Sequence, residues 1–297
     1  MSGSVTLPRL GIGHGERAIA VAMLVVPAVG TVSAAALAWR YGVSWTALAL
    51  FAGLYVLTMA GVEVGMHRYF SHRAFKCAPA LRLGLGIAGS MAGQGPVLFW
   101  AATHRRHHRY SDTASDPHAP LGSGFAAFWR AHVGWLFEEH RYDPGREAPD
   151  LVRDSATVMA QRLYLAWFAL GLVLPALIGL AASGTLYGML EGLLWGGLAR
   201  VFAVHHATWS VNSLCHLFGS QPWQSHDHSH NIGLLALPTM GGAWHNNHHA
   251  FPASATTSLG RWQLDPSGWL IRAAEATGLV WDVRRPPPQA HLETRAR

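Results

Sequence analysis

Four short groups in this sequence have the residue types of metal ligands. They are His67-Arg-Tyr-Phe-Ser-His72, His104-Arg-Arg-His107-His108, Asn212-Ser-Leu-Cys-His216 and His245-Asn-Asn-His248-His249. On a helix, positions i, i+3 and i+4 share one face. His104, His107 and His108 therefore point together, as do His245, His248 and His249, and Asn212 lies over His216. One such group alone would pass as a polar helix face. Four of them supply nine imidazoles, more than the four ligands of a tetrahedral zinc site, and suit two metals of higher coordination number. Neutral imidazole takes Zn, Fe, Cu and Ni alike, so the ligands do not name the metal. With only Cys77 and Cys215 and no CxxC, a disulfide scaffold and a thiolate zinc site are excluded.

The remaining histidines, of 19 in all, are weaker candidates. His118 follows Asp116-Pro117, which is turn chemistry. His205 and His206 fall at a helix end or line a pocket. His132, His140 and His291 are isolated and read as surface, and His14 has no partner in sequence. His226, His228 and His230 alternate, so an extended segment would put them on one face, where an extra metal is conceivable.

The elements that position these groups are apolar. Half of the 297 residues are hydrophobic and 13% are charged, against about 25% in ordinary soluble domains. A bilayer core needs about 20 apolar helical residues. Ala18–Trp39, Val43–Val62 and Leu163–Ser183 carry no charge, and Thr185–His205 carries only Glu191 and Arg200. The first is longer than a signal-peptide core and reads as a span. Such short gaps, Arg40–Gly42 and Gly184, predict two helical hairpins. Leu83–Ala102 is also uncharged, but five glycines and Pro96 predict a broken or surface-lying helix.

Basic residues orient this arrangement. Loop 63–162 holds 12 Arg or Lys and tail 206–297 holds 6, whereas the turn after the first span has only Arg40. The positive-inside rule then places the loop, the tail and the His groups in the cytoplasm. It also accounts for the net charge of +6 without nucleic acid. The prediction is an all-α, multi-pass integral membrane protein of one domain. It has four transmembrane helices in two hairpins (18–39, 43–62, 163–183, 185–205), a cytoplasmic helical cap (63–162 and 206–283) holding a His-rich di-metal site, and flexible ends at 1–16 and 284–297.

The motifs HRYFSHR (67–73), HRRHHRYSDTASDPH (104–118), ATWSVNSLCH (207–216) and WHNNHHAFP (244–252) resemble those of the membrane-bound fatty acyl desaturases. The Asn-x-x-x-His element points to the Δ9, stearoyl-CoA-type, branch. The likeness covers roughly residues 45–275. It implies a di-iron enzyme of lipid metabolism that uses O2 to insert a cis double bond into an acyl chain. It also implies that His67, His108, His216 and His249 hold one iron, with Asn212 acting through a water, and that His72, His104, His107, His245 and His248 hold the other. The segment Asp112–Asp116 would orient the rings through their second nitrogens. Trp100 and Trp209, close to the groups in sequence, either shape an acyl tunnel or anchor at the membrane interface.

The chemistry suits the residue types. An unactivated methylene has no acidic proton and no leaving group, so acid–base or nucleophilic catalysis has nothing to act on. A redox metal pair with O2 does. There is no Glu-x-x-His pair of the kind found in carboxylate-rich di-iron bundles. No HPGG haem motif occurs either, which implies a separate donor, a ferredoxin or cytochrome-b5-like protein with its reductase.

Some positions depart from relatives. Where acyl-CoA enzymes carry basic residues after an HVGWLL-like segment, this chain has His132-Val-Gly-Trp-Leu-Phe followed by Glu138-Glu139. Two carboxylates repel a CoA phosphate, so acyl-lipid and carrier-protein-linked substrates stand beside acyl-CoA. Gly242 stands where relatives often have an acidic residue, and Glu63 is an unexpected carboxylate at the membrane edge, to be paired or to support a ligand. Two other readings use the same groups: a His-box hydroxylase or monooxygenase, and a non-catalytic metal-binding membrane protein.

Overall fold

The computed structural model describes residues 13–138 and 143–288. It is built from helices α1 (His14–Tyr41), α2 (Trp45–Ala60), α3 (Pro79–Met91), α4 (Val97–Tyr110), α5 (Gly124–His132), α6 (Pro144–Glu147), α7 (Ser155–Arg162), α8 (Tyr164–Ser183), α9 (Leu186–Glu191), α10 (Arg200–Leu217), α11 (His245–Ala250) and α12 (Pro266–Ala276). Two π-helical segments join neighbours: Gly61–Ser71 continues α2, and Gly192–Ala199 links α9 to α10. The fold is otherwise helical apart from a two-residue antiparallel pairing of Lys76–Cys77 with Val280–Trp281 and isolated bridges of Asn231 with Ser220 and Trp244, among the described residues.

Among the described residues, three helices are long and apolar enough to cross a membrane: His14–Tyr41, Trp45–Ser71 and Tyr164–Ser183. They correspond to the first three expected spans, with shifted ends. α1 begins at His14, inside the segment 1–16 expected to be flexible. Residues 1–12 and 289–297 lie outside the described residues, as do His140 and His291. The fourth expected span is helical but composite, α9, π-segment and α10, and does not meet the same measure of length and hydropathy. Its two charges are buried and paired inside the protein. Glu191 accepts the N–H of Ser44 at the start of α2 (3.0 Å). The Arg200 guanidinium donates to the carbonyls of Gly196, Met91 and Gly171, tying α3 and α8 to α10. α8 packs on α9 and the second π-segment, and α1 and α2 both pack on that same π-segment.

The stretch 83–102 is broken, as its composition predicts. Gly93 and Gly95 have φ of 72° and 92°, a region L-residues avoid, and Pro96 starts α4. α3 lies so close to the first π-segment that a Cβ on Gly61 would fall 2.3 Å from the Gly89 nitrogen. This approach fixes the π-segment, and so His67 and His72, against the body of the protein.

Candidate metal centre

The π winding explains the spacing of the first His group. In an α-helix, residues five apart diverge. In a π-helix the hydrogen bond runs from i to i+5, so such residues come into register. The His72 N–H donates to the His67 carbonyl (3.2 Å), and the two rings stand 5.0 Å apart. π-helical turns are enriched at functional sites. α4 presents His104, His107 and His108, α10 presents His216, and α11 presents His245, His248 and His249.

Nine imidazoles meet in two groups whose nitrogens all lie within 4.8 Å of one another. One holds His67, His72, His104, His108 and His248, and the other holds His107, His216, His245 and His249. The division implied by the family resemblance is therefore corrected. His67 and His108 join His72, His104 and His248, while His107 and His245 join His216 and His249. The cause is helical phase. The i, i+4 pairs His104/His108 and His245/His249 stay together one α-turn apart, while His107 and His248, on the same broad face but offset to its side, reach the neighbouring group. The adjacent pairs His107-His108 and His248-His249 do divide between the groups.

Within the groups, Nε2 faces Nε2. The separations are 2.9 Å for His67–His248, 2.7 Å for His72–His104, 3.1 Å for His104–His108 and 2.9 Å for His108–His248. In the second group they are 3.2 Å for His107–His249 and 2.9 Å for His216–His245. Four of the opposite nitrogens are committed to carboxylates. His67 Nδ1 meets Glu63 (2.9 Å), His107 Nδ1 meets Asp116 (3.0 Å), His216 Nδ1 meets Asp112 (3.0 Å) and His249 Nδ1 meets Asp227 (2.5 Å). An imidazole that donates its Nδ1–H to a carboxylate presents a bare lone pair at Nε2. His107 and His249 thus aim two lone pairs at each other. A hydrogen between each such pair would need several charged imidazoles in one buried volume. Yet burial, reinforced by neighbouring imidazoles, holds His72, His104, His108, His245 and His248 far below the usual imidazole range. One cation per group satisfies every lone pair. Two nitrogens at right angles around a metal with bonds of about 2.1 Å lie roughly 3 Å apart, which matches the observed edges.

The carboxylates are shaped for this task. Burial raises the pKa of Asp116, but the imidazoles of His107 and His118 outweigh it and hold the group below the carboxylate range. His249 does the same for Asp227, and His216 for Asp112, each against burial. Asp112 sits at φ 61°, a conformation that Asp tolerates better than most residues, and its Oδ2 also accepts the His228 N–H (2.6 Å). Asp112, Asp116 and Glu63 were legible in the sequence as supports. Asp227 was not. Its only signal is its place inside the alternation His226-Asp-His-Ser-His230, where attention falls on the histidines. His226 and His228 are exposed and belong to none of the metal-competent groups among the described residues. The Gly242 departure also has an explanation: a Cβ there would fall 2.6 Å from Glu63 Oε1, so the glycine makes room for the carboxylate that orients His67.

Other expectations change. His118 lies in a turn, as expected, but is buried there beside His107, ring centroids 4.4 Å apart. His132 is half-buried between Ser213 Oγ (2.9 Å) and His206 (3.0 Å), so the surface reading fails for it. Burial is the first cause of its pKa falling to about 4. His205 is buried on the Gly93 carbonyl. Asn212 lines a cavity of about 30 Å3 together with His67 and His104 of one group and His107 and His245 of the other. Trp100 stacks on His104 (4.9 Å). Trp209 is 1% exposed, which does not suit an interfacial anchor. Both tryptophans line an inner chamber of about 40 Å3 beside His104 and Asn212.

The chain is similar in sequence to known proteins. A family model, "Fatty acid desaturase", matches residues 43–276. The hex-5-enoyl-[acyl-carrier protein] acetylenase of Moorena producens (strain JHB) is 45% identical over 270 residues, covering 88% of this chain and 84% of the relative. The sn-1 stearoyl-lipid 9-desaturase of Synechocystis is 38% identical over 251 residues (83% and 74%). The Delta-9 acyl-lipid desaturase 1 of Arabidopsis thaliana is 35% identical over 246 residues (83% and 78%). With these matches, and two buried imidazole groups built for cations, the chain belongs to the fatty acid desaturase family and is an oxidoreductase acting on fatty acyl chains.

Proposed function

We propose that this chain is an O2-dependent di-iron desaturase that introduces a cis double bond, at Δ9, into a saturated acyl chain. The observation that carries this reading is the pair of imidazole groups with lone pairs converging at cation-ligand spacing, beside a chamber walled by Trp100 and Trp209. The donor set fits iron: nine imidazoles, four of them held by carboxylates, and no thiolate.

His67, His72, His104, His108 and His248 would hold one iron. His107, His216, His245 and His249 would hold the other, with Asn212 beside them through a water. Iron bound there supplies O2-dependent oxidation strong enough to take hydrogen atoms from adjacent methylenes. The overall balance is one –CH2–CH2– unit, O2, two protons and two donor electrons giving one –CH=CH– unit and two waters. The electrons come from a ferredoxin or cytochrome-b5-like protein with its reductase. The protein's own part is to orient the rings through Glu63, Asp112, Asp116 and Asp227, to keep the centre buried, and to present the chain along the aromatic wall. Four spans, with the composite fourth crossing alongside α8, would place the centre at the cytoplasmic face, as the Arg distribution favours.

The test is expression in a host with a compatible donor, followed by fatty acid profiling. A new cis-monounsaturated species that disappears with His107→Ala is expected, and mass spectrometry locates the bond. Unchanged lipids with a working donor would refute the proposal. A hydroxylated product would select the monooxygenase reading.

A further inference from the structure

A second, larger cavity of about 440 Å3 lies outside the inner chamber. It shares Gln94, Phe99, Trp135 and Trp209 with that chamber. The chamber in turn shares Trp100, His104, Thr208 and Asn212 with the space between the imidazole groups. The three lie side by side and share walls, in a line from the outside of the protein to the imidazole groups. Their walls are mostly apolar, and a chain of methylenes gains by entering them. Inside the chamber, the hydroxyls of Thr103 and Thr208 are buried without a hydrogen-bond partner, so its deep end has polar groups free to meet a bound molecule.

The outer end has two marks. The first is where it opens. Ile19 and Met23 from the beginning of α1 and Leu165 from the beginning of α8 border it. Both helices are long and apolar enough to span a membrane. Ile19 and Leu165 are 62% and 75% exposed. The mouth is therefore a slot between the ends of two membrane helices, at the depth where acyl chains meet headgroups. The second mark is its charge. The charged side chains on its rim, among the described residues, are Glu16 and Glu138. Glu16 accepts the Gly13 N–H (3.0 Å), and Arg130, which meets Glu138 at 2.8 Å, also donates to the Ala119 carbonyl. A phosphate brought to this rim meets carboxylates, while a hydroxyl finds acceptors.

Resting on the desaturase reading, we propose that this slot admits the acyl chain of a membrane lipid with an uncharged, hydroxyl-bearing headgroup. It does not serve a phosphate-bearing carrier. The chain swings in from the leaflet between α1 and α8, the ester stays at the Glu16–Glu138 rim, and the methylenes thread past Phe99 and Trp209 toward Trp100.

The experiment uses the full-length protein loaded with iron, in vesicles, with a reductant-coupled donor. Stearoyl chains are offered on a monoglycosyl diacylglycerol, on phosphatidylglycerol, on CoA and on an acyl carrier protein, and the monounsaturated product on each is measured by mass spectrometry. The expected result is several-fold faster desaturation of the glycosyl lipid than of any phosphate-bearing carrier. Glu138→Lys should shrink that ratio and Glu138→Gln should fall between. Because ratios are read within one preparation, a variant that folds less well still reports. Equal or better use of any phosphate-bearing carrier by the unaltered protein, or a ratio unmoved by Glu138→Lys, overturns the proposal and leaves the desaturase reading intact. Desaturation of no carrier brings down both.

Discussion

Asp227→Asn is the sharpest probe of how the second imidazole group is held. Asp227 Oδ2 accepts from His249 Nδ1 at 2.5 Å, and its Oδ1 accepts the N–H (3.0 Å) and Oγ–H (2.6 Å) of Ser229. Asparagine keeps the shape and one acceptor oxygen but loses the charge, and it can offer N–H to the ring instead. His249 is then free to protonate Nε2, the nitrogen that faces His107 Nε2 at 3.2 Å. Losing an outer partner of a ligating histidine costs about 10–100-fold in metal affinity, or roughly 1.4–2.7 kcal/mol. A hydrogen bond to a charged partner is independently worth roughly 1.5–3 kcal/mol, so the two routes agree. The assay is anaerobic titration of the detergent-solubilised, metal-stripped protein with Fe(II) against a competing chelator. Unaltered protein should take two irons, and the variant should lose affinity at one of them by at least tenfold. His226→Ala, an exposed neighbour, should change nothing. Two unaltered affinities in Asp227→Asn, within twofold, would refute the claim that this carboxylate sets the ring.

Other outcomes follow from the same structure. Asp265→Asn leaves the buried Arg68 guanidinium without the carboxylate it meets at 2.7 Å. Breaking such a pair costs roughly 3–5 kcal/mol, visible as a large drop in Tm. The same Asp265 is held down to about 2 by Arg68 and by the N–H groups of Gly268 and Thr257, against burial. Its stabilisation is complete above the unfolded value of about 3.9 and is lost as pH falls toward 2. It amounts to roughly 2–3 kcal/mol, and Asp265→Asn should flatten acid unfolding over that window. Gly61→Ala puts a methyl 2.3 Å from the Gly89 nitrogen, and overpacking of about 1–3 kcal/mol should lower both Tm and iron content. On the proposed reading, Fe(II) binding to the folded chain alone at a hundredfold over its Kd should add about 2.7 kcal/mol of stability, and a chelator should remove it. A Tm indifferent to metal would speak against a bound pair.

Much of the centre was legible in the chain itself. The i, i+3, i+4 histidines and the uncharged stretches depend on local periodicity, which a sequence displays directly, whereas Asp112 and Asp116 were indicated as supports only by the family resemblance. The break at Gly93 and Gly95 is local too, in a backbone region that side chains rarely adopt. The misplacements have a shared cause. His132 looked isolated because its partners, Ser213 and His206, lie 81 and 74 residues away. Glu191 and Arg200 looked like two charges in a span, and folding buries both on partners. Asp227 was hidden because nothing in its neighbourhood names His249.

Alone, then, the sequence determined that nine imidazoles would gather at the end of an apolar helical body. Only the tertiary structure decided which ring meets which. His67 meets His248 across 181 residues because folding packs the first π-segment and α11, far apart in the chain, against one another. Helical phase is local and can be read from spacing, whereas convergence depends on close packing between distant segments.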